Sequence, residues 1–214
     1  MELYTYFRST AAYRVRIALN LKNIEADQKF IHLVKDGGEQ HSSSYRRLNP
    51  QGRVPTLIDG GMPIMQSQAI IEYLEELHPN PPLLPEDLKD RAWLRSIAGL
   101  VACDIHPLNN LSVLQYLQKE MGADDDAKMK WYRHWVTEGF SALEEMLAND
   151  ARVGDYCYGK KVSMADIFIV AQVYNANRFD CDMSAYPVIN EINDNCLKLD
   201  AFKRAAPEAQ PDAS

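Results

Sequence analysis

The segment "FRSTAAYRVRIAL" places small polar side chains between a strand-like run and a helix-like run. "ELYTY" before it alternates like a strand, and the apolar residues after Thr10 recur at helical spacing. A helix that begins here leaves its first backbone N–H groups without intrahelical partners, and its dipole favours an anion. Ser9 and Thr10 therefore either cap a helix or help to bind a phosphate, a carboxylate or a thiolate.

Two further stretches offer groups that could bind an anion. In "MQSQAIIEYLEE", Ser67 begins a second helical pattern and Gln66 offers an amide beside it. In "RVPTLID", Pro55 enters a strand-like run; a cis bond there would turn the Val54 backbone outward, and the alternative is a plain edge-strand start. Two helix N-termini and an outward-facing backbone edge could together bind an extended, peptide-like anion.

The cysteines do not form a metal or disulfide pattern. They are widely separated, without a CxxC pair, and position 11, beside Ser9 and Thr10, is alanine. A catalytic cysteine is the alternative, but none of the four lies at a strand-to-helix junction where a helix dipole would lower its pKa. We expect reduced, mostly buried thiols at Cys103, Cys157, Cys181 and Cys196.

Composition limits the classes of partner. The formal charge of −7 argues against nucleic acid, which requires a basic face. With 214 residues and 46% hydrophobic content the chain can bury a full core. It contains no run of 18 apolar residues and no basic region followed by an apolar one, which predicts a cytoplasmic protein without a membrane partner.

The pattern of elements changes once along the chain. Residues 1–78 alternate strand-like pieces, including "DQKFIHLV", with helix-like ones, and "DGG" at 59–61 predicts a hairpin turn. Residues 79–87 are rich in proline and predict a stiff linker. Residues 88–214 are helical almost throughout, with a last segment, "RAAPEAQPDAS", that we expect to be mobile. The sequence thus predicts an α/β domain followed by an all-α domain.

The helical part contains polar residues with more than one interpretation. Pro107 should kink a helix and set His106 and Asn110 one turn apart on the same side, although a lone histidine is most often a core residue. Arg178 ends a helical run, where a cation complements the dipole. "SMAD" at 163–166 is a capping-box variant to which we assign no catalysis.

Several of these motifs occur together in one known family. "LNPQGRVPTL", "QSQAIIEYLEE", the proline-rich linker and "SMADIFIVAQ" together resemble the glutathione transferases, specifically the zeta class, which contains the maleylacetoacetate isomerases. The resemblance covers essentially the whole chain. It implies a thioredoxin-like domain that binds glutathione, an all-helical domain that supplies the second substrate's site, and a homodimer.

The resemblance also implies roles for individual residues. Ser9 and Thr10 match positions beside the glutathione sulfur, and Arg178 matches an arginine that binds the substrate's carboxylate. Many zeta members have cysteine where this chain has Ala11, so that cysteine cannot be essential here. The other positions implied in glutathione binding are Gln40, Val54, Gln66, Ser67, His106 and Asn110.

The activity that the resemblance implies is glutathione-dependent cis–trans isomerisation of maleylacetoacetate to fumarylacetoacetate, in aromatic amino acid catabolism. Thiolate addition, bond rotation and elimination require a stabilised thiolate, for which Ser9 and the helix N-terminus are the candidates, and positive charge, for which Arg8 and Arg178 are the candidates. Maleylpyruvate isomerisation and a non-catalytic binding protein of the same fold are the alternatives. Transferase activity could accompany either reaction.

Overall fold

The computed structural model describes residues 1–213. Its contacts divide the chain into two compact units, one of residues 1–83 plus the segment that begins at Leu197, and the other of Leu84–Cys196. The first unit contains one four-stranded sheet in the order β2-β1-β3-β4, with β1 parallel to β2 and antiparallel to β3, and β3 antiparallel to β4. The strands are β1 (Glu2–Thr5), β2 (Asp27–Phe30), β3 (Thr56–Asp59) and β4 (Met62–Met65).

Helices make up most of the remaining described chain. α1, α2, α3 and α9 belong to the first unit, and α4 to α7 and most of α8 belong to the second. This confirms the predicted mixed sheet followed by helices. The bounds are α1 (Thr10–Leu21), α2 (Ser43–Leu48), α3 (Ser67–Leu77), α4 (Leu88–Gly99), α5 (Leu111–Lys119), α6 (Asp125–Ala148), α7 (Met164–Arg178), α8 (Pro187–Leu197) and α9 (Asp200–Ala205).

The core of the first unit forms between the sheet and the helices α1 and α3. Leu3 and Leu57 from neighbouring strands, Ile17 from α1 and Ile70 from α3 are fully buried. Burying side chains of this size stabilises the fold by about 1.5–3 kcal/mol each. The apolar spacing of α1 therefore fixes which face meets the sheet and how its N-terminus is placed.

Local backbone conformation and local hydrogen bonds set where two of these elements end. Gly60 and Gly61 both have positive φ in the predicted hairpin turn between β3 and β4, a conformation that glycine adopts without strain. The predicted strand "DQKFIHLV" is too long, because β2 ends at Phe30. Beyond it, the His32 ring Nδ1 accepts hydrogen bonds from the N–H groups of Val34 and Lys35, which turns the chain away from the sheet.

A buried ion pair fastens the start of the proline-rich linker. Lys22 Nζ lies 2.6 Å from the Glu75 carboxylate, and it also donates to the backbone oxygens of His78 and Pro81. The Glu75 carboxylate accepts from the N–H of Leu83. Since a buried charge must be paired, these bonds hold residues 78–83 beside α1 and α3.

The second unit is organised around a buried helix. α7 carries an almost continuous row of buried residues, and a capping box at Ser163 and Asp166 fixes its start, as the sequence predicted. α4 continues directly into a π-helical segment, Leu100–Ile105. None of the helices in residues 1–213 is long and apolar enough to cross a membrane.

The observed units differ from the predicted boundary in one respect. The sequence placed residues 88–214 in one helical domain, whereas the segment from Leu197 onward packs with the first unit. α9 lies against α1, where Asn20 donates to the Ala201 carbonyl at 2.9 Å. The last segment also buries more than its composition suggests, because Pro207 is buried and Gln210 is only 7% exposed.

Candidate functional site

The N-terminus of α1 has the geometry of a capped anion site. Ser9 is the N-cap residue, with an extended backbone, and its Oγ accepts a hydrogen bond from the N–H of Ala12 at 3.2 Å. The oxygen is thus an acceptor in the cap, which leaves the hydroxyl hydrogen to donate elsewhere. A half-buried Ser9 can therefore cap the helix and donate to an anion simultaneously, so the two interpretations of this junction are compatible.

The residues on either side of Ser9 differ in exposure. Arg8 is exposed, and its guanidinium lies 4.8 Å from the centre of the Phe7 ring. Thr10 begins α1 and is buried, with 3% of its surface exposed. The turn therefore presents a cation and a hydroxyl to solvent next to the helix N-terminus, while Thr10's expected place beside a sulfur stays a prediction.

The backbone at Val54 is available for pairing. The Val54–Pro55 peptide bond is cis, the geometry that the sequence suggested for an outward-facing backbone. β3 begins only at Thr56, and among the described residues the backbone N–H and C=O of Val54 have no hydrogen-bond partner. This is the kind of edge to which an extended peptide can add main-chain hydrogen bonds.

Gln40 lies in the same unit, and within residues 1–213 only the nitrogen of its side-chain amide is hydrogen-bonded. Its Nε2 donates to the Leu33 carbonyl at 3.1 Å, and 6% of the residue is exposed. Its Oε1 is buried and has no partner in residues 1–213. A buried acceptor without a donor is unfavourable, so a ligand N–H at this position would gain a hydrogen bond.

The start of α3 is a second helix N-terminus with a buried positive charge beside it. Ser67 is the first residue of α3, and its Oγ accepts from Arg14 Nη1 at 3.4 Å. Arg14 is almost fully buried, with 1% exposed. A buried guanidinium beside a helix N-terminus favours a carboxylate through both charge and dipole.

Gln66 precedes Ser67 in an unusual backbone conformation. Its φ is +71°, a region that non-glycine residues rarely adopt, and its side chain does not cap α3. Gln66 thus occupies the N-cap position of α3 without a side-chain hydrogen bond to the helix. Its Nε2 instead donates to Gln51 Oε1 at 2.8 Å, which holds the exposed amide in place beside the N-terminus of α3.

The second unit places His106 and Asn110 differently from the prediction. The helix ends with the π-helical segment at Ile105, and α5 starts afresh at Leu111. Pro107 lies in the turn between them because it has no N–H to continue the ladder, so a single kinked helix with both side chains on one face is wrong. Asn110 is the N-cap of α5 and accepts from the N–H and hydroxyl of Ser112.

Arg178 is the last residue of α7 and is exposed. Its guanidinium lies 5.1 Å from the centre of the Phe179 ring, and that ring packs on Tyr132 with centroids 4.4 Å apart. The position suits a cation that only complements the helix dipole, which is the simpler of the two roles considered for Arg178. The Phe179 ring also restrains the rotamer of Arg178, which suits a guanidinium that binds a carboxylate.

The cysteines have the environment of thiols that are not nucleophiles. Cys157 and Cys196 are buried, and desolvation raises the pKa of both thiols. Burial also raises the pKa of half-buried Cys181. Only Cys103 is exposed, which corrects the expectation of mostly buried thiols for that residue. The environments of Cys157, Cys181 and Cys196 therefore do not favour a thiolate.

Comparison with known proteins gives the family. A model of the glutathione S-transferase N-terminal domain matches residues 3–82. A Vibrio cholerae protein named "probable maleylacetoacetate isomerase" is 51% identical over 211 residues, which cover 99% of this chain and 97% of that protein. This chain is a glutathione transferase family member.

Solved structures place it in the zeta class of that family. A maleylpyruvate isomerase described as a bacterial glutathione transferase of the zeta class superposes with a TM-score of 0.97 at 45% identity, covering 100% of both chains. A maleylacetoacetate isomerase from Methylobacterium extorquens, solved with malonate and glutathione bound, superposes with a TM-score of 0.96 at 42% identity, again over 100% of both chains. The zeta-class fold predicted from the sequence is confirmed.

Two residues that contact the candidate site residues were not found from the sequence. Arg14 contacts Ser67, and Gln51 contacts Gln66, although 53 and 15 residues separate them. A signal for Arg14 did exist: it lies among apolar residues of a buried helix, where a charge needs a partner. For Gln51, in a polar loop, the sequence offers no comparable signal.

Proposed function

We propose that this protein catalyses the glutathione-dependent cis–trans isomerisation of maleylacetoacetate to fumarylacetoacetate. The observation that carries the proposal is Ser9, whose Oγ caps α1 while its hydroxyl hydrogen is left to stabilise an anionic sulfur at the helix N-terminus. The M. extorquens relative, which binds glutathione and a small dicarboxylate, supports it.

The residues of the first unit fit glutathione. The unpartnered Gln40 Oε1 and the free Val54 backbone suit the peptide part of an extended tripeptide. Ser67, with Arg14 behind it, suits a carboxylate. These groups match the chemistry of a ligand that has amide N–H and C=O groups along its length and a carboxylate at its end.

Each residue then has a chemical task. Glutathione, when bound, supplies a sulfur nucleophile whose reversible addition to the conjugated double bond permits rotation from cis to trans. Ser9 donates its hydroxyl hydrogen toward the sulfur, and the first N–H groups of α1 favour negative charge there. The Ser9 hydroxyl and α1 thereby lower the free energy of the ionised form at neutral pH.

Positive charge is required for the other reactant. The substrate carries carboxylates, and negative charge develops on its carbonyl oxygen as the double bond is attacked. Arg8 and Arg178 are the candidates, because a guanidinium can grip a carboxylate through two parallel N–H donors. Neither forms an ion pair with a described carboxylate, so both guanidiniums are available.

Maleylpyruvate is the second candidate substrate. The maleylpyruvate isomerase of the zeta class matches this chain over its full length. Both substrates have the same cis double bond between carbonyl groups and differ in the arm beyond it. The residues that we place around the sulfur would therefore serve either reaction.

We also infer the setting of the enzyme. An exposed free cysteine, Cys103, suits a reducing compartment such as the cytoplasm. The resemblance to zeta-class proteins supports a homodimer and a place in phenylalanine and tyrosine catabolism. Slow transferase activity toward electrophiles would follow from the same stabilised sulfur.

The test is an isomerase assay with each substrate, with and without glutathione. We expect glutathione-dependent turnover, with maleylacetoacetate giving the higher kcat/KM. A higher value for maleylpyruvate would reverse the assignment of substrate, and retention on a glutathione matrix without any turnover would favour the non-catalytic binding protein.

A further inference from the structure

The turn that carries Arg8 and Ser9 is fastened by residues close to the end of the chain. The Asp212 carboxylate Oδ2 accepts a hydrogen bond from the N–H of Phe7 at 2.9 Å. Phe7 lies beyond the end of β1, so the sheet does not pair its N–H. Asp212 thus supplies the acceptor that this backbone group needs, one residue before Arg8.

Arg16 binds the carbonyl group of the same residue. Its Nη2 donates to the Phe7 carbonyl at 2.9 Å, and its Nε donates to the Ala205 carbonyl at 3.1 Å. Its Nη1 donates to Thr5 Oγ1 and to the Tyr6 carbonyl. With 3% of its surface exposed, Arg16 is a buried clamp between the turn and the end of α9.

Both proposed site residues depend on Phe7 and Tyr6. The Arg8 guanidinium lies over the Phe7 ring, and the N–H of Ser9 donates to the Tyr6 carbonyl at 2.9 Å. A shift of the Phe7 backbone would therefore move a cation and a hydroxyl together. A displacement of about 1 Å is enough to lose much of the advantage of a positioned group.

The segment itself is held in one shape. Gln210 is 7% exposed, and its Nε2 donates to the carbonyls of Arg204 and Ala206 at 2.8 and 2.9 Å. Asp212 Oδ1, in contrast, is buried without a partner in residues 1–213. A carboxylate in such surroundings contributes poorly to stability. The hydrogen bond that Asp212 accepts from the Phe7 N–H is the better explanation for a carboxylate at this position.

We propose that residues 200–213 form a strap that positions the Phe7–Ser9 turn, with Asp212 as the positioning residue. The inference rests on the proposed function, since the groups positioned are Arg8 and Ser9. Asp212 touches neither substrate nor glutathione in this account. It acts only through the backbone of Phe7.

The test compares three variants of the full chain. Asp212→Ala removes the acceptor, Asp212→Asn keeps an acceptor oxygen without the charge, and Asp200→Ala removes an exposed carboxylate from the same segment as a matched control. The measurements are kcat and KM, the thiol pKa of bound glutathione from thiolate absorbance, and hydrogen exchange of the peptide that contains Phe7.

For Asp212→Ala we expect a loss of about tenfold in kcat, a raised pKa of the bound thiol and faster exchange at Phe7. Asp212→Asn should stay within about threefold of the wild type, because it restores the hydrogen bond. Asp200→Ala should match the wild type in all three measurements.

Two results would contradict the proposal that the strap positions the turn. One is unchanged exchange at Phe7 in Asp212→Ala; the other is faster exchange there with unchanged kcat and thiol pKa. Failure of the proposed function is separate, because it would appear as a wild-type enzyme without glutathione-dependent turnover. Hydrogen exchange at Phe7 would still decide whether Asp212 fixes the turn.

Discussion

At the scale of single residues, the account depends on what each hydroxyl and guanidinium is free to do. The sequence predicted Ser9 as a helix cap or a sulfur ligand, and the geometry allows both because the hydroxyl oxygen accepts from the Ala12 N–H while its hydrogen is left to donate elsewhere. The partners of Arg14 and Asp212 could not be predicted, because they lie 53 and 205 residues away along the chain. Such pairings depend on tertiary structure and leave no local pattern.

Ser9→Ala should lower kcat/KM about ten- to a hundredfold, because it removes a hydrogen bond of roughly 1.5–3 kcal/mol to a charged sulfur. It also removes a helix cap worth about 1 kcal/mol of stability, whereas Ser9→Gly removes the hydroxyl at little cost to the cap. Kinetics and thermal unfolding of both variants separate the two effects. A matched control is Asp87→Ala, which removes the N-cap of α4. Full activity in Ser9→Gly would contradict the role of the hydroxyl.

Arg178→Met should lower kcat/KM for the dicarboxylate at least about tenfold, equivalent to 1.4 kcal/mol, because an arginine paired with a carboxylate in a site contributes to binding. Glutathione affinity and Tm should hardly change, since an exposed helix-end cation contributes only about 0.3–1 kcal/mol. Arg133→Met, which removes an exposed arginine of α6, is the control. Equal turnover by both variants would leave Arg8 as the candidate for the site's positive charge.

At the scale of elements, periodicity predicted most helices and strands, and local chemistry set their ends. The glycine turn and the capping box agree with the structure because each depends on residues close together in the sequence. The sequence patterns did not predict α2, although Ser42 caps it. They also predicted a kinked helix at Pro107, whereas the π-helical segment ends at Ile105 and Pro107 lies in a turn, because helix periodicity does not distinguish a kink from a new start.

A cluster of charges that spans α4 and the loop after α6 should make stability depend on pH. Hydrogen bonds from Arg152 lower the pKa of Asp150, and bonds from Tyr158 and Arg152 lower the pKa of Asp90. A carboxyl group whose pKa is lower in the folded than in the unfolded chain stabilises the fold at pH values above its unfolded pKa, near 3.8. This stability is lost as the pH falls through the folded pKa.

The urea midpoint of Arg152→Met should therefore lie below that of the wild type near pH 6, and the difference should shrink as the pH falls toward about 3. The effect should be small, since the groups lie at the surface and are partly exposed to solvent. Lys130→Met, which removes an exposed lysine of α6, should show no such convergence. A difference for Arg152→Met that stays constant with pH would assign its effect to the packing of Arg152 on Trp93.

At the scale of the whole molecule, composition and order of elements predicted the fold, and contacts between distant segments completed it. The negative charge argued against a nucleic-acid binder, and the resemblance to the glutathione transferases implied an enzyme that acts on small molecules. The segment from Leu197 joins the first unit through carbonyls that accept from Arg16 and Asn20. Backbone carbonyls carry no sequence signature, so this pairing could not be predicted from composition.

The central claim is that glutathione acts as a catalyst at the N-terminus of α1. The most direct measurement follows isomerisation with glutathione present at far lower concentration than maleylacetoacetate and determines the thiol content before and after. We predict many product molecules per glutathione molecule, an unchanged thiol content and no enzymatic rate once glutathione is removed. A full rate without glutathione, or loss of one thiol for each product formed, would contradict the account.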